Sequence, residues 1–555
     1  MSLFSVISLK LKEIINGMVG ARTIEQKLHV TPVISNQMQE AIELWTDMYK
    51  NEAPWLHEPS FVDPSRVVSL GLPAMIASEK ARTALLEMQS EITTPTEEVE
   101  VDNPNYSPEP KIDVFGNIIP SVEPEKITED RPKTSTDRAE YLNTQYEKLK
   151  GNLRTQIEYG VAKGGLVVKP YVVVNQGLDG EEIYEIEFDY VQADAFYPLA
   201  FNSAGEITEA GFIQTKTVGN IVYRRLEYHK WKNNTVTVYN TAYKSTAGQQ
   251  DGDNLGLDLG QEIPLKEVDE WKDLQPKTEV NYVTKPLFAY FKMPEANTID
   301  TTSPLGISGF AKAKDLIKDA DMQYSRLLWE YEAGEMAIDI DRDAMNFLDD
   351  KDGGEHRVMG RLQQRLYRPI DLGESNTYQP YSPSLRDTQY IQGLNTILMR
   401  IEDVTGLSRG TLCDASAEAR TATELKILKQ RSYQTNADIQ QAIERMLKDV
   451  IYIMNAYCDL YEITKEGEYD VSFEWDDSIL VDVDEELNKQ LSLLQNGLTS
   501  KEEVRMWYFG ETERQAKEAL LKIDGENAQA MEQELAMESN KSNIKAQQKA
   551  QEQQK

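Results

Sequence analysis

The histidines, cysteines and glycines of this chain do not occur at the spacings of any catalytic or cofactor-binding motif that we examined. The four histidines stand singly, so the paired spacing of a metalloprotease or another His-based metal site does not occur. The two cysteines, Cys413 and Cys458, are far apart, which excludes a Cys-based zinc site and a disulfide framework. Neither a phosphate-binding GxxxxGK[ST] nor a GxGxxG motif opens a helix. We therefore expect no catalytic residue, no cofactor and no metal, and predict that the protein is not an enzyme.

Carboxylates are the most abundant ionisable groups, with 93 Asp and Glu against 59 Lys and Arg and a formal net charge of −34. Because two carboxylates suffice for glycoside hydrolysis, an acidic carbohydrate-active enzyme stays open as an alternative. The acidic turn 349–354 resembles a calcium loop only superficially, since it lacks the ligand periodicity and the terminal Glu. An acidic surface repels phosphates, so free binding to nucleic acid through a general basic face is not expected.

One locally basic patch interrupts this acidity. It occupies the first turns of a long helical pattern, with one further arginine in the loop before it, and comprises Arg409, Arg420, Lys426, Lys429 and Arg431.

The elements that position this patch lie between Pro304 and about Tyr461, where apolar residues recur at spacings of three and four. The pattern predicts one helix from 304 to about 335, a second over Pro383–Val404 and a third over Arg420–Tyr461. A third helix of that length would span about 60 Å at 1.5 Å per residue. Gly406 is expected to end the second helix.

The chain before this region predicts helices and then strands. Helices are expected over Gln37–Lys50, Pro73–Glu91 and Ala139–Ala162. Residues 93–137 are rich in Pro, Glu and Asp and too poor in apolar residues to order themselves, which predicts an exposed loop. Short β-rich runs between Leu166 and Lys292, separated by Gly, Asn and Asp turns, predict an antiparallel sheet or a small barrel.

After the third helix, the alternation in Tyr469–Trp475 predicts a strand, and three helical patterns follow between 483 and 521. The tail from about 531 is Glu, Gln, Ala and Lys, which predicts disorder or a frayed helix. No run of about 18 apolar residues occurs, so we expect no membrane span, and the N-terminus lacks the features of a signal peptide. The expected fold class is α+β and mainly helical.

Several stretches together resemble the portal proteins of tailed bacteriophages, of the long-tailed type found in Gram-positive hosts. Their shared order over about residues 37–525 is more specific than any one of them. The likeness does not extend over 93–137 or the tail after 530. The stretches are TDMYKNEAPWL (46–56), IEYGVAKGGLVVKPYV (157–172), VQADAFYPLAF (191–201), PLFAYFK (286–292), SPLGISGFAKAKDLIKDADMQYSRLLWEYEAGE (303–335), TGLSRGTL (405–412) and ARTATELK (419–426).

The resemblance implies the phage portal fold, in which wing, stem, clip and crown surround an axial channel. It divides this chain into consecutive parts: wing 1–303, with 93–137 a disordered acidic loop; stem helix 1, 304–335; clip 336–382; stem helix 2, 383–406; tunnel loop 407–419; tunnel helix 420–461; wing return strand 462–482; helical crown 483–530; and disordered or frayed tail 531–555.

The function implied is that of a homo-oligomeric ring, usually of twelve subunits, at a unique capsid vertex. Such a ring is the channel for packaging and ejection of double-stranded DNA. It docks the terminase motor and the head-tail connector or adaptor proteins, and it contacts the major capsid and scaffolding proteins. The protein would lie in the virion, and in the host cytoplasm during assembly, with no membrane partner. The other alternative from the residues themselves is a non-viral structural scaffold or adaptor with helical arms.

Within such a ring the charge would gain a function. Twelve copies would carry roughly −400 formal charges, and DNA passing an acidic wall is not captured and can slide. The five basic residues above are then candidates for a phosphate contact without sequence specificity near the narrowest point of the channel. Salt bridges to acidic residues of neighbouring subunits are the alternative role, and both stay open.

Overall fold

The computed structural model describes residues 34–57, 67–86, 88–102, 126–176, 182–246, 259–341, 348–349, 355–356, 367–370, 378–414, 422–475, 483–510, 515–517 and 519–523 of the 555-residue chain. The chain divides into two compact units, Met1–Trp475 and Asp476–Lys555. The mixture of helices with mostly antiparallel sheets agrees with the predicted α+β class.

The helices of eight or more residues are α1 (Asn36–Tyr49), α2 (Leu72–Leu85), α3 (Asp137–Lys163), α4 (Lys314–Ala333), α5 (Asp387–Thr405), α6 (Ala422–Leu460), α7 (Val483–Gln495) and α8 (Lys501–Phe509). The strands are β1 (Met88–Thr93), β2 (Thr96–Asp102), β3 (Lys126–Pro132), β4 (Gly165–Gln176), β5 (Glu182–Gln192), β6 (Phe196–Phe201), β7 (Ile207–Val218), β8 (Ile221–Lys232), β9 (Thr235–Thr246), β10 (Gln261–Ile263), β11 (Lys277–Asn281), β12 (Ala289–Lys292), β13 (Ala337–Asp341), β14 (Leu348–Asp349), β15 (Glu355–His356), β16 (Tyr367–Ile370), β17 (Tyr378–Tyr381) and β18 (Asp470–Trp475).

Helix α3 is the centre of the larger unit. Its apolar residues at spacings of three and four, such as Leu142, Leu149 and Ile157, are fully buried. They pack against α1, α2 and the sheet that contains β4. Gly164 ends the helix in the left-handed conformation, with φ of 85°. The predicted helix over 139–162 is confirmed.

Two antiparallel sheets flank this core. One has the order β12-β4-β5, and the other has the order β10-β9-β8-β7-β6 with β11 also paired to β9. Asn233 and Asn234, both with positive φ, make the two-residue turn between β8 and β9. The predicted antiparallel sheet is confirmed. The short strand β10 lies at the edge of the larger sheet, where its backbone pairs with β9.

The long helix α6 confirms the third predicted helix, since its 39 residues run from Ala422 to Leu460. Its C-terminal half is buried, with Ile439, Ile443, Met446 and Val450 all at 0% exposure. This half contacts α2, α3, β4 and β12, so the helix is a core element of the larger unit.

Helices α4 and α5 pack against each other, but both begin later than predicted. The segment 304–310 is not helical, and Leu305, Ile307 and Phe310 along its path are buried in the core. This path crosses the end of α3 so closely that a Cβ on Gly306 would lie 2.3 Å from the Gly164 carbonyl oxygen. Helix α5 begins at Asp387 rather than 383, and Gly406 ends it as predicted, with φ of 75°.

Two further predictions are wrong in part. The helix predicted over 73–91 ends at Leu85, and β1 follows because it pairs with β18 from the far end of the unit. The loop predicted over 93–137 contains the antiparallel pair β2 and β3, whose backbone ladder forms without a large apolar core. Residues 103–125 between them lie outside the described part.

The insert between α4 and α5 contains a small sheet of order β16-β13-β17. In the C-terminal unit, Ser500 and Glu503 form a capping box at the start of α8.

Candidate functional site: the loop after helix α5

The loop after α5 is folded around one buried carboxylate. Glu402 lies in the last turn of α5 and has 0% exposure. Its Oε1 accepts hydrogen bonds from the backbone N–H groups of Gly410 (3.2 Å), Leu412 (2.6 Å) and Cys413 (3.0 Å). Its Oε2 accepts one from the Cys413 thiol at 3.1 Å. Four donors thus replace the water that the carboxylate lost on burial.

Two glycines let the backbone turn back onto this carboxylate. Gly406 and Gly410 both have positive φ, at 75° and 91°, a conformation that strains other residues. A Cβ on Gly406 would also lie 2.4 Å from Thr435 Oγ1 of α6. The backbone at Gly406, where the loop begins, therefore lies in close contact with α6.

Two side-chain contacts tie the loop further to α5. The Arg409 guanidinium forms an ion pair with Asp403 at 2.6 Å, and the Asp414 N–H donates to Asn395 Oδ1 at 2.9 Å. Residues 407–414, which we name the loop base, are thus fixed to α5 at both ends. Residues 415–421 lie outside the described part.

A cleft of about 350 Å³ lies beside the loop base, between the end of α5, α6 and the turn after β12. Glu295 in this turn forms ion pairs with Lys312 at 3.0 Å and with Lys80 at 3.3 Å. Lys80 is fully buried and also donates to the Gly309 carbonyl oxygen at 2.9 Å. Burial lowers the pKa of Lys80 against the attraction of Glu295. This contact anchors α2 to the segment that leads into α4.

At the other end of the helix pair, Arg386 joins α5 to α4. Its guanidinium and its backbone N–H both reach the Glu330 carboxylate, with the shortest contact at 2.8 Å. The side-chain hydrogen bond holds the pKa of Glu330 below its ordinary value and raises that of Arg386. A Cβ on Gly334 would clash with Leu385 at 2.1 Å, so the two helices meet closely where the insert begins.

Comparison with protein families identifies the chain. Residues 125–541 match the family described as "Phage portal protein, SPP1 Gp6-like". The chain belongs to this family. It is a portal protein of a tailed phage, a structural component of the virion capsid that acts in genome packaging. Comparison with curated proteins finds no match.

Family membership decides between the alternatives left open by the sequence. It favours the portal over the non-viral scaffold and over the carbohydrate-active enzyme, because portal proteins have a structural role. Within the described residues, no group of three or more His, Cys, Asp or Glu could hold a metal ion. No helix in the described part of the portal protein is both long and apolar enough to cross a bilayer. The host type stays a prediction.

The structure describes the five predicted channel residues to different extents. Arg409 lies in the loop base, where Asp403 binds it and its side chain keeps 31% exposure. Lys426, Lys429 and Arg431 lie in α6, although their side chains are outside the described part, and Arg420 is outside it altogether. Contact with phosphates or with a neighbouring subunit stays a prediction for all five.

Sequence reasoning missed Glu402, the residue that organises this site. A detectable signal was present, because an acidic residue in the last turn of a helix meets the negative end of the helix dipole. Such a position is unfavourable unless the carboxylate has donors elsewhere. The two glycines that follow Glu402 allow the chain to bring those donors back.

Proposed function

We propose that this portal protein forms a ring of twelve subunits at one capsid vertex and that double-stranded DNA enters and leaves through the axial channel of the ring. The observation that carries the proposal is the family match over residues 125–541. The ring would bind the terminase motor during packaging and the head-tail connector proteins afterwards, and it would contact the major capsid and scaffolding proteins during assembly in the host cytoplasm.

In this proposal each group of helices and strands forms one part of the portal. The core around α3 with its two sheets and β18 would form the wing, α4 and α5 the stem, and the sheet of β13, β16 and β17 the clip that faces motor and tail. The loop 407–419 would line the narrowest part of the channel, with α6 behind it. The C-terminal unit, with α7 and α8, would be the crown.

The loop base supports this assignment of 407–419. A loop that meets moving DNA must keep its attachment while its tip is pushed. Five hydrogen bonds hold residues 410–414 onto Glu402 and Asn395 of α5. Residues 415–419 follow this fixed base and would make the contact with DNA. We propose Arg409, Arg420, Lys426, Lys429 and Arg431 as weak phosphate contacts there.

The net charge of the chain fits a conduit. Screening within about 8 Å at physiological salt means that only wall residues next to DNA act on it. An acidic wall keeps DNA from adhering, and a few basic side chains near the constriction would hold it transiently.

Electron microscopy of the purified full-length protein tests the ring. We expect closed rings of about a dozen subunits with a central hole, and a stable monomer under assembly conditions would contradict the proposal.

The loop is tested by replacing residues 415–419 with Gly and Ser at unchanged length, which leaves every donor to Glu402 in place. Rings should still form, while packaging or retention of DNA falls. As a control, the same replacement is made in the turn Asn202–Gly205, which lies in the six-stranded-sheet region. Unchanged packaging with the replaced loop would show that 415–419 does not act on DNA.

A further inference from the structure

The C-terminal unit leaves most of its large apolar side chains in solvent. Among the residues described between 487 and 523, Ala516 is the only buried one, and seven large apolar side chains have 40% to 74% exposure. Helices α7 and α8 have 13 and 9 residues, and helices this short are marginal in water by themselves. Burial of their apolar side chains against a further surface would therefore stabilise them. The seven residues are Leu491, Leu498, Trp507, Tyr508, Phe509, Leu521 and Ile523.

Three consecutive aromatic residues form the last turn of α8. Trp507, Tyr508 and Phe509 keep 41%, 48% and 59% exposure. The ring centroids lie 6.2 Å apart in the first pair and 4.9 Å apart in the second, so the rings form one continuous surface. We name this surface the aromatic band.

The aromatic band is too wide to be covered from one side. Consecutive residues are about 100° apart around a helix, so the band covers about 200° of the circumference of α8. A helix packed beside α8, such as α7, covers a stripe of about 100°. The band therefore needs contacts from more than one neighbouring element.

The exposed area of the band is of the size that marks an interaction site. A fully covered aromatic side chain buries about 150–250 Å², so the exposed fractions of the three rings leave roughly 300 Å² in solvent. Soluble monomers rarely expose contiguous apolar patches larger than a few hundred Å². Since a standard interface buries about 800 Å² on each partner, the band would supply the apolar centre of one.

The charge around the band favours another copy of this chain as the partner. Residues 487–509 contain three basic and two acidic residues and thus carry a formal charge of +1, whereas the whole chain carries −34. Acidic surfaces of two copies repel each other, but two copies of this stretch meet without that repulsion. The five charged residues are Lys489, Lys501, Glu502, Glu503 and Arg505.

The charged groups closest to the band already have partners within the chain. The Arg505 guanidinium lies over the Phe509 ring, 4.8 Å from its centroid, and Glu503 takes part in the capping box with Ser500. An apolar neighbour can therefore cover the band without leaving these two charges unpaired. In the proposed ring each subunit has two neighbours, so the band can be covered from two sides.

We propose that the aromatic band of each subunit packs against the C-terminal units of the neighbouring subunits, so that these units join into a continuous belt of helices around the ring. The inference rests on the ring proposed above and adds to it a specific contact between copies of the chain.

Photo-crosslinking of the full-length protein tests this contact. The photo-reactive analogue p-benzoylphenylalanine replaces Tyr508, and as a control it replaces Tyr282, a tyrosine of the larger unit with 95% exposure. We expect illumination to give crosslinked dimers from position 508 with at least tenfold higher yield than from position 282. Mass spectrometry should place the link within residues 483–523 of the second copy. Links within one chain, links to residues 1–475 of another copy, or no links from position 508 overturn the proposal.

Electron microscopy of the same samples separates this inference from the proposed function. Closed rings without crosslinked dimers from position 508 would overturn the belt while the ring itself stands. Absence of rings would overturn both.

Hydrogen exchange of the rings gives a second measurement. Phe509→Lys places a charge in the proposed contact, so amides 504–509 should exchange at least tenfold faster in this variant than in the wild type. Lysine in the last turn favours an isolated helix, so faster exchange cannot come from α8 alone. Phe201→Lys is the control, because it adds the same charge at an aromatic residue with 41% exposure in β6 and should leave the exchange of α8 unchanged.

Loss of rings in Phe509→Lys but not in Phe201→Lys would also support the contact. Equal exchange of amides 504–509 in wild-type and Phe509→Lys rings would show that the band faces solvent in the ring and would overturn the proposal.

Discussion

The loop base and the contact between the three-stranded and six-stranded sheets each contain a buried or nearly buried carboxylate, and they neutralise it in different ways. Glu402 is surrounded by backbone N–H groups and a thiol from one short segment that follows it in the chain. Glu227 is surrounded by Lys169, Arg225 and His229, which come from two strands of different sheets. The first arrangement fixes a local conformation, because the donors belong to the backbone that must be held.

The second arrangement joins two sheets through charged side chains. Charged side chains satisfy Glu227, while Asn240 Oδ1, His229 Nδ1 and Arg225 Nε are buried without a hydrogen-bond partner among the described residues. The comparison therefore separates a carboxylate held by the backbone that follows it from a carboxylate held by side chains of two sheets. The expected outcomes below test this difference, beginning with the largest effect.

Glu402→Leu should destabilise the protein most. It leaves three backbone N–H groups and a thiol buried without an acceptor, so we expect a loss of about 3–5 kcal/mol in the free energy of unfolding. Chemical denaturation of the full-length protein measures this loss. Asp403→Asn is the matched control, because its partly exposed ion pair with Arg409 should contribute less than about 1 kcal/mol. Similar losses for the two variants would show that Glu402 does not organise the loop base.

Glu227→Gln should change how stability depends on pH. Since the folded-state pKa of Glu227 is depressed, its carboxylate stabilises the fold above its ordinary pKa near 4.5 and loses that contribution as pH falls through the lower folded value. The wild type should therefore lose stability in this acidic range more steeply than the variant does.

Denaturation series between pH 3 and pH 7 compare the two proteins. Glu279→Gln serves as control, because this carboxyl is half-exposed and pairs with the exposed Lys277. Parallel curves for wild type and Glu227→Gln would mean that Glu227 keeps an ordinary pKa in the folded protein.

Cys413→Val should have an intermediate effect. It removes the thiol donor to Glu402 Oε2 at similar volume, so we expect a loss of about 1–2 kcal/mol, whereas Cys413→Ser keeps a donor and should lose less. Burial and the bond to Glu402 raise the pKa of this thiol, so its alkylation in the native protein should be slow. A larger loss with Ser than with Val would mean that the site favours an apolar side chain over a donor.

Arg409→Gln should have the smallest effect on stability, below about 1 kcal/mol, because its ion pair is partly exposed. If Arg409 also contacts DNA phosphates, packaging should fall in this variant while ring formation is unchanged. Arg400→Gln is the control, since Arg400 lies at a similar position beside Asp403, with 70% exposure. Equal packaging by both variants would assign Arg409 to the ion pair alone.

The sequence alone determined the elements whose formation depends on local pattern. The periodicity of 142–161 and of 425–457 predicted α3 and α6 because apolar residues recur at spacings of three and four in both, and α3 and the described part of α6 bury them. Gly406 and the Ser500–Glu503 cap were predictable because a single residue type meets the backbone requirement there. The resemblance carried by several short stretches led to the portal family, which the match over 125–541 confirms.

Tertiary structure decided what depends on residues far apart in the chain. Strand β1 is a strand rather than the end of a helix because β18, almost four hundred residues later, pairs with it. Segment 304–310 is not helical, and its Ile307 and Phe310 are buried in the core while its backbone passes close to Gly164. Only the folded structure shows that Glu402 is the centre of the loop base, because its donors belong to residues 410–413, which fold back onto it. The ion pair between Glu227 and Lys169 likewise forms only where two sheets meet, since no local pattern records which strands will face each other.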